Sequence, residues 1–323
     1  MISRRHFLHT LPALPAALAS GMTLAKPIAK KPIHLMVAAA AGTTVDAAAR
    51  FVAEPLSNIV GVPVVVENRP GAGGALGSAV VARAPADGHT LLMTGVTHFA
   101  ALYSGEAAAT YDPLADFKGI ARVCSAALAV VVPTNSPYKT FADLLAAMKA
   151  NPGEINYGSG GVGSTSHLCT VIMNDRTGTT AKHIPYKGNT QAVTDTVAGI
   201  VAFTCQGSGG VLPLIKADRL RALAVTSRKR WEALPDVPTA IESGIPDFEV
   251  ASWMGAFAPA KTPDAMIALL SDGLAKVARS PEFKAFCDNQ SMYVELVEHR
   301  EFQAGMPEED AHWRHVAELI KRA

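Results

Sequence analysis

The chain has 323 residues, a length that favours two domains over one hydrophobic core. Charged residues make up 18% and the formal net charge is +1, which excludes a basic surface large enough to bind nucleic acid. The 49% hydrophobic fraction indicates compact α/β packing and argues against disorder. Small molecules or proteins are therefore the expected partners.

The N-terminal residues have the pattern of an export signal. Arg4 and Arg5 precede an apolar stretch, Leu8 to Leu18, which is followed by small residues. The segment 3–8 also resembles a twin-arginine box. We therefore predict that residues 1–25 are removed and that the mature protein is periplasmic.

Short β-rich runs then alternate with helical patterns, which predicts βαβ units on a mostly parallel sheet. Thr43 or Thr44 can cap the helix after the first strand, and Asp46 lies in its first turn, where a helix N-terminus favours an acid. The predicted elements of this part are strands at 33–40, 62–68 and 89–95, a helix at 44–60, a glycine-rich turn into a helix at 69–84, and a loop at 94–103.

The run 128–138 predicts a strand that leaves the first domain, and 249–260 a strand that returns to it. Two connections of this kind suit closure of two lobes around a ligand. The elements predicted between and after them are helices at 140–153, from 165 through Val171, and at Thr190 to Val197, strands at His183 to Tyr186, 200–205 and 219–227, and closing helices at Pro263 to Arg279 and Pro307 to Arg322.

Ligands of open α/β sheets bind beyond the carboxyl ends of the strands. The loops at 41–46, 94–99, 158–166, 187–191 and 205–209 follow such ends. We therefore expect these loops to converge in one cleft between the lobes.

The segment 156–168 has the glycine spacing of a dinucleotide-binding loop. The strand candidate after it ends without the carboxylate that would hold a ribose hydroxyl, so the nucleotide hypothesis lacks its second anchor. What remains is an anion site at a helix start. Its donors would be backbone N–H groups and the hydroxyls of Ser159, Ser164 and Thr165.

The cysteines are Cys124, Cys169, Cys205 and Cys287, and no two of them form a CxxC pair. A zinc site or a thioredoxin-like site is therefore not expected, and the sequence predicts neither metal nor cofactor. Each cysteine is expected to be a small core residue. In an oxidising periplasm disulfides are also open, with three full connectivities for four cysteines.

Taken in order, six motifs of the chain resemble the Bug-type periplasmic solute receptors of tripartite tricarboxylate transporters. The similarity spans nearly the whole mature chain. The motifs are ENRPGAGG, ADGHTLLM, NYGSGGVGSTSHL, HIPYKGNTQAV, LRALAVTSRKRWEALPDVPTAIESG and SWMGAFAPAKTP.

This resemblance implies a two-lobed, type II-like periplasmic-binding-protein fold of class α/β, with a ligand cleft between the lobes. Lobe 1 would comprise 32–129 plus 251–323, and lobe 2 would comprise 130–250. The expected function is capture of a small organic carboxylate and its delivery to the two membrane subunits of a transporter. The protein is expected to be a monomer without enzymatic activity.

The resemblance also places the ligand contacts. In the first loop two residues that are characteristic of the family are replaced by Ala40 and Ala41, and acids that follow the Tyr-Lys-Gly loop are replaced by Ala202 and Gln206. The missing acids predict a ligand without an ammonium group, such as an aliphatic or aromatic mono- or dicarboxylate. The predicted ligand-binding residues are Gly42, Thr43, Thr44, Asp46, Thr97, His98, Ser159, Gly163, Ser164, Thr165, Tyr186, Gly188, Asn189 and Gln206.

Several of these residues also have structural explanations. His98 and His167 could pack or cap near helix starts, and Lys187 could neutralise a carboxylate or be a solvated loop residue. Asp46 is also explained by its own helix terminus. The RPGAGG turn lacks the third fingerprint glycine and is assigned to the architecture of the lobe.

Two other functions remain open. A carboxylate sensor that signals to a membrane kinase would use the same fold. An exported hydrolase would combine Ser159 or Ser164 with His167 or His183 and Asp195. No Gly-x-Ser-x-Gly elbow supports the hydrolase.

Overall fold

The computed structural model describes residues 30–103 and 110–322, so the predicted export signal lies outside the described residues. Strands and helices alternate along most of the described chain. The strands are β1 (Ile33–Val37), β2 (Val64–Asn68), β3 (Thr90–Gly95), β4 (Phe117–Pro133), β5 (Asn156–Ser159), β6 (Lys182–Pro185), β7 (Phe203–Gly207), β8 (Leu220–Val225), β9 (Ala251–Pro259) and β10 (Met292–Glu298). The helices are α1 (Thr44–Val60), α2 (Ala75–Ala82), α3 (Thr97–Tyr103), α4 (Phe141–Ala150), α5 (Thr165–Thr177), α6 (Asn189–Val197), α7 (Ser208–Lys216), α8 (Asp264–Ala278), α9 (Pro281–Asn289) and α10 (His299–Arg322).

The longest strand, β4, takes part in both halves of the sheet. Its first part pairs antiparallel with β9 and β10, and its last part pairs antiparallel with β7 and β8. The parallel pairs are β1 with β2 and β3 in one half, and β5 with β6 and β7 in the other. The predicted parallel strands are therefore present in each lobe, and antiparallel β4 and β9 join them because the chain returns through β9.

The chain crosses between the lobes at two neighbouring places. β4 changes partners near Ala127, which pairs with Ala251 of β9, while Leu128 already pairs with β7. Just before β9, the Val250 N–H donates to the Thr226 carbonyl in the second lobe. The predicted double connection is thus built from two adjacent strands of one sheet.

Helices cover both faces of each half of the sheet and bury four apolar clusters. In the first lobe α1, α8 and α9 pack on one face around Phe283, while α2, α3 and α10 pack on the other around Phe257. In the second lobe α4 and α5 pack around Phe203, and α7 packs with Trp231 on the opposite face. Each lobe is therefore a three-layer α/β/α unit. Within the described ranges, no helix has the length and apolarity that a membrane crossing would need.

Five elements differ from the sequence prediction. The segment predicted as a loop after β3 contains α3, the glycine-rich segment after β7 forms α7, and α9 and β10 lie between the two predicted closing helices. α10 also begins at His299 and continues through Pro307, its predicted start. These elements depend on long-range packing: β10, for example, exists as an edge strand on β4.

Candidate functional site

A cavity of about 230 Å³ lies between the two lobes, at the carboxyl ends of the parallel strands. Most of the predicted ligand-binding residues line it, so the loops expected to converge do meet. The predicted residues in its wall are Gly42, Thr43, Thr44, Thr97, Ser164, Thr165, Gly188, Asn189 and Gln206.

The sequence prediction missed one wall of the cavity. It is formed by Pro70, Gly71, Gly73 and Gly74, in the turn whose sequence favoured a role in lobe architecture. The three glycines have φ values of 129°, 62° and 108°, which residues other than glycine rarely adopt. The clustered glycines of RPGAGG were the signal that could have located this wall.

Helix N-termini are the main electrostatic feature of the cavity. The first residues or N-caps of α1, α2, α5, α6 and α7 all line it. The N-caps Thr43, Gly74, Gly188 and Gly207 make no side-chain capping bond to the N–H groups that begin their helices, and among these groups the Gly209 N–H of α7 donates to Thr44. Each N-terminus carries partial positive charge, so together they favour an anion.

Among the described residues that line the cavity, Lys187 is the only one with an ionisable side chain. Lys187 is exposed in the loop before α6. The other polar groups of the wall are hydroxyls, side-chain amides and backbone groups. No set of three or more His, Cys, Asp or Glu side chains in the described ranges is placed to hold a metal ion. The wall can therefore hold an anion, but it offers no carboxylate to a cation.

Hydrogen bonds orient the polar side chains of the wall. The Thr43 hydroxyl donates to the Ala40 carbonyl at 2.8 Å. The Ser164 hydroxyl caps α5 by accepting from the His167 N–H at 3.4 Å. The Gln206 amide donates to the Thr204 hydroxyl at 2.9 Å. These groups are thus held in place by the protein before a ligand arrives, which lowers the entropy cost of binding.

Two hydrogen bonds join the lobes beside the cavity. The Thr190 hydroxyl of the second lobe donates to the Ala41 carbonyl of the first at 3.1 Å. The Gly209 N–H donates to the Thr44 hydroxyl at 3.2 Å. The structure therefore shows the two lobes in contact across the rim of the cleft.

Two glycines allow the lobes to approach this closely. A β-carbon at Gly73 of lobe 1 would lie 2.5 Å from the Val162 carbonyl oxygen of lobe 2. A β-carbon at Gly163 would lie 2.7 Å from Cα of Ala101. Gly163 is therefore part of the contact between lobes and does not line the cavity, which corrects its predicted role as a ligand contact.

His98 is also corrected, because its ring does not reach the cavity. The side chain is fully buried and lies against the rings of Phe99, Tyr111, Phe117 and Phe257. Desolvation lowers the pKa of His98 to about 3, so the ring is neutral at physiological pH. The residue is a packing group behind the wall to which its neighbour Thr97 contributes.

Ser159 lies beneath the serine-glycine loop and not in the wall of the cavity, which corrects its predicted contact. Its buried hydroxyl is 2.6 Å from Nε2 of His183. The ring of His183 stacks on His167 with centroids 4.2 Å apart, and Nδ1 of His167 accepts the Gly163 N–H at 3.2 Å. The network therefore fixes the shape of the loop from below.

Tyr186 and Asp46 are the remaining corrections. The Tyr186 hydroxyl donates to the Asp195 carboxylate at 2.7 Å and stays outside the cavity wall. The Asp46 carboxylate accepts from the Gly42 N–H at 2.9 Å and from Asn68 at 2.8 Å, which fixes the loop before α1. Burial opposes ionisation of Asp46, but hydrogen bonds from Arg50, Gly42 and Asn68 lower its pKa, so the carboxylate stays charged.

These contacts argue against the alternative of an exported hydrolase, whose serine, histidine and aspartate would have to form one hydrogen-bonded set. Asp195 is engaged by Tyr186, and Ser159 is 0% exposed. Ser164 lines the cavity, but its hydroxyl caps α5 and contacts Ser166 at 3.1 Å. The described contacts thus contain a Ser159–His183 pair without access to a substrate and without the proposed aspartate.

Residues 48–321 match the family described as the tripartite tricarboxylate transporter family receptor, TctC. The chain belongs to this family. A protein of Agrobacterium vitis from the TAR-I ttuE-ttuC' intergenic region is 40% identical over 252 residues, covering 77% of this chain and 72% of the relative. BugT of Bordetella pertussis is 35% identical over 251 residues, covering 77% of each chain.

Solved structures of TctC-like proteins share the two-lobed fold. The periplasmic binding protein BugD has a TM-score of 0.84 at 29% identity, covering 91% of this chain and 98% of its own. Rpa4515 of R. palustris, solved with adipate, has a TM-score of 0.84 at 30% identity and covers 90% and 97%. MatC of Rhodopseudomonas palustris, solved with malate, has a TM-score of 0.81 at 25% identity and covers 89% and 99%.

We predict that acid weakens this TctC protein through its buried histidines. Desolvation lowers the pKa of His167 to about 3, assisted by the neighbouring His183, and desolvation lowers the pKa of His183 to about 4. The unfolded chain takes up these protons near the ordinary pKa of 6.5, whereas the folded chain does not. The free energy of unfolding that these histidines contribute is therefore fully present above pH 6.5 and is lost as the pH drops from about 6.5 towards 4.

Denaturant midpoints measured across this pH range test the prediction. His183→Gln keeps a hydrogen-bonding group but cannot titrate, so its stability should fall less steeply with decreasing pH than that of the wild type. His312→Gln, at an exposed position of α10, should keep the wild-type slope. Equal slopes for His183→Gln and the wild type would contradict the prediction.

Proposed function

We propose that the cavity binds a small organic carboxylate and that the protein delivers it to the two membrane subunits of a tripartite tricarboxylate transporter. The convergence of five helix N-termini on a wall without carboxylates is the observation that carries this proposal. The adipate and malate in two similar structures support it. A carboxylate would accept backbone N–H and hydroxyl hydrogen bonds, and Lys187 would add one positive charge at the rim.

The proposal extends to the cellular setting. The protein acts in the periplasm after removal of residues 1–25, as the export pattern of the N-terminus and the family's periplasmic members indicate. It acts as a monomer and without catalysis. The burial of Ser159 and the hydrogen bond of Asp195 with Tyr186 support a binding role over the hydrolase.

Apart from its carboxylate groups, the ligand carries no charged group. Apolar side chains form a large part of the cavity wall, and no acid is present among its described residues to pair with an ammonium group. Gln206 stands where related receptors often have an acid, and its amide is engaged by Thr204. The apolar wall residues are Val45, Ala126, Leu128, Val193, Leu214 and Met254.

The lobes close around this ligand by bending at the paired connections near residues 130 and 250. The proposed lobes are 32–129 plus 251–323 and 130–250. The hydrogen bonds from Thr190 and Gly209 to lobe 1 would form on closure. Closure would then remove the carboxylate from water and strengthen its electrostatic attraction to the helix N-termini.

The first prediction from the proposed function concerns Lys187. Lys187→Gln should weaken binding of adipate by several-fold, because the variant removes the only charge among the described residues of the cavity wall. The loss is modest because Lys187 is exposed, and it should shrink as salt is added. Titration calorimetry at low and high salt measures both effects. Lys182→Gln, an exposed lysine of the same lobe that does not line the cavity, is the control.

Equal affinities of the two lysine variants would show that Lys187 is only a solvated residue. Absence of binding by the wild type across a broad carboxylate panel, in protein stripped of bound ligand, would overturn the proposed function itself. At a hundredfold excess over the dissociation constant, a bound acid should stabilise the wild type by about 2.7 kcal/mol.

The second prediction concerns the body of the ligand. Succinate should bind more tightly than aspartate, and glutarate more tightly than glutamate, because burying an unpaired ammonium group is costly. We expect a difference of at least about tenfold, or 1.4 kcal/mol, within each pair. Adipate and benzoate in the same calorimetric series test how much apolar volume the wall accepts. Tighter binding of the amino acids would contradict the role assigned to the neutral wall.

The third prediction concerns closure. Gly73→Ala and Gly163→Ala should weaken binding of the tightest acid in this panel by about tenfold or more, because each new methyl group blocks contact between the lobes. Gly153→Ala is the matched control, since Gly153 has a similar φ of 78° but no heavy atom within 4 Å of its β-carbon position. All three variants should lose about 1–2 kcal/mol of stability from backbone strain. Equal affinities of the three would refute the closure.

A further inference from the structure

Gln206 is held in one orientation by the hydroxyl of Thr204, two residues earlier on β7. Because a carbonyl has no proton to offer, the contact of 2.7 Å between Thr204 and the Gly158 carbonyl uses the only proton of the Thr204 hydroxyl. The Thr204 oxygen can then only accept, and Nε2 of Gln206 donates to it at 2.9 Å. The reverse orientation would place Oε1 of Gln206 against the Thr204 oxygen with no proton between them. The amide nitrogen of Gln206 is thus fixed towards Thr204.

The side-chain carbonyl of Gln206 has no partner of its own. No described residue donates to Oε1 of Gln206, yet this atom is not fully enclosed. The side chain as a whole is only 3% exposed, and it lines the cavity. Oε1 is therefore an acceptor that is open to the cavity and that closure of the lobes would remove from bulk water.

The other side-chain amide among the described wall residues has the opposite orientation. Oδ1 of Asn189, at the start of α6, accepts from the Ser166 hydroxyl at 2.8 Å. The N–H groups of this amide are therefore left for a ligand, at a helix N-terminus that favours an anion. The wall thus offers a donor to a carboxylate at Asn189 and an acceptor at Gln206.

We propose that Gln206 sets the specificity of the cavity by accepting a hydrogen bond from a hydroxyl group of the bound acid. The inference rests on the proposed function, because it concerns a further group of the same ligand. A carboxylate beside Oε1 would be repelled, since both groups are acceptors. An ammonium group would bring a charge and more donors than one amide carbonyl can satisfy, whereas a hydroxyl brings one donor and no charge.

The consequence is selection between acids that differ only by this hydroxyl. A hydroxy acid pairs with the Gln206 carbonyl when the cleft closes, whereas the same acid without the hydroxyl leaves the carbonyl buried and unpaired. Burial of an unpaired acceptor is costly, so a site of this kind rejects the analogue that lacks the donor. We expect a preference of about tenfold or more.

Titration calorimetry with matched acids tests the inference. The pairs are succinate with each enantiomer of malate, glutarate with each enantiomer of 2-hydroxyglutarate, and benzoate with each hydroxybenzoate. In the wild type, the hydroxy acid should bind about tenfold or more tightly in at least one pair. Gln206→Met has a side chain of similar length without an amide, so this ratio should fall close to one. Asn189→Ala is the matched control, because loss of a donor to the carboxylate should weaken both acids alike and keep the ratio.

Two variants of Thr204 separate positioning from folding. Thr204→Val has no oxygen to hold Nε2 of Gln206, so the amide can turn and the preference for the hydroxy acid should fall several-fold. Thr204→Ser keeps the hydroxyl and should keep the wild-type ratio, whatever its melting temperature. This pair also decides the question should Gln206→Met fail to fold.

Equal affinities within every pair in the wild type would overturn the inference and leave carboxylate binding intact. A wild-type ratio that survives in Gln206→Met would do the same, because the side chain would then act on both acids alike, as a donor to a carboxylate. A wild-type ratio in Thr204→Val would overturn the orientation assigned to the amide. Failure of the wild type to bind any of these acids would instead count against the proposed function.

Discussion

The shared strand β4 is the constraint on which the binding site depends. It pairs with β9 and β10 in one lobe and with β7 and β8 in the other, helices cover both of its faces, and its residues from Ala126 to Pro133 are all buried and apolar. Ala126 and Leu128, at the point where β4 changes partners, also line the cavity. The floor of the cavity at the crossing is therefore apolar, and its polar groups come from the surrounding loops, helix starts and neighbouring strands, as at Thr94, Gln206 and Ser252. The division of the cavity into an apolar wall and a hydrogen-bonding rim follows from this topology.

The rim uses backbone dipoles where many binding sites use charged side chains. Four of its helices begin at N-caps without a side-chain capping bond, although the Gly209 N–H of α7 already donates to Thr44. Such donors need little desolvation before a carboxylate binds, in contrast to buried arginine or lysine. The neutral stack of His167 and His183 beneath the serine-glycine loop supports the same geometry. A protonated histidine there would lose the Gly163 hydrogen bond that shapes the loop.

The sequence predicted the features that depend on local chemistry. Thr43 occupies the N-cap position of α1 and Asp46 lies in its first turn, as the local pattern predicts, although the Thr43 hydroxyl makes no capping bond. It could not separate His98 from a ligand-binding histidine, because the rings that enclose His98 come from Phe117 and Phe257, far away in the chain. The same limit applies to β10, which depends on pairing with β4. Local patterns thus place the loops, whereas distant packing decides which side chains reach the cavity.

Two hydrogen bonds join the lobes at the rim of the cleft, and behind them Leu168 of α5 packs in the apolar cluster of lobe 1. The hydrogen bonds from Thr190 and Gly209 to lobe 1 are between neutral groups, and together they contribute about 2 kcal/mol. A bound carboxylate that accepts hydrogen bonds from both lobes stabilises the closed form by a comparable or greater amount, since bonds to charged groups contribute about 1.5–3 kcal/mol each. Hydrogen bonds of a bound carboxylate would therefore be comparable in free energy with the two polar contacts at the rim.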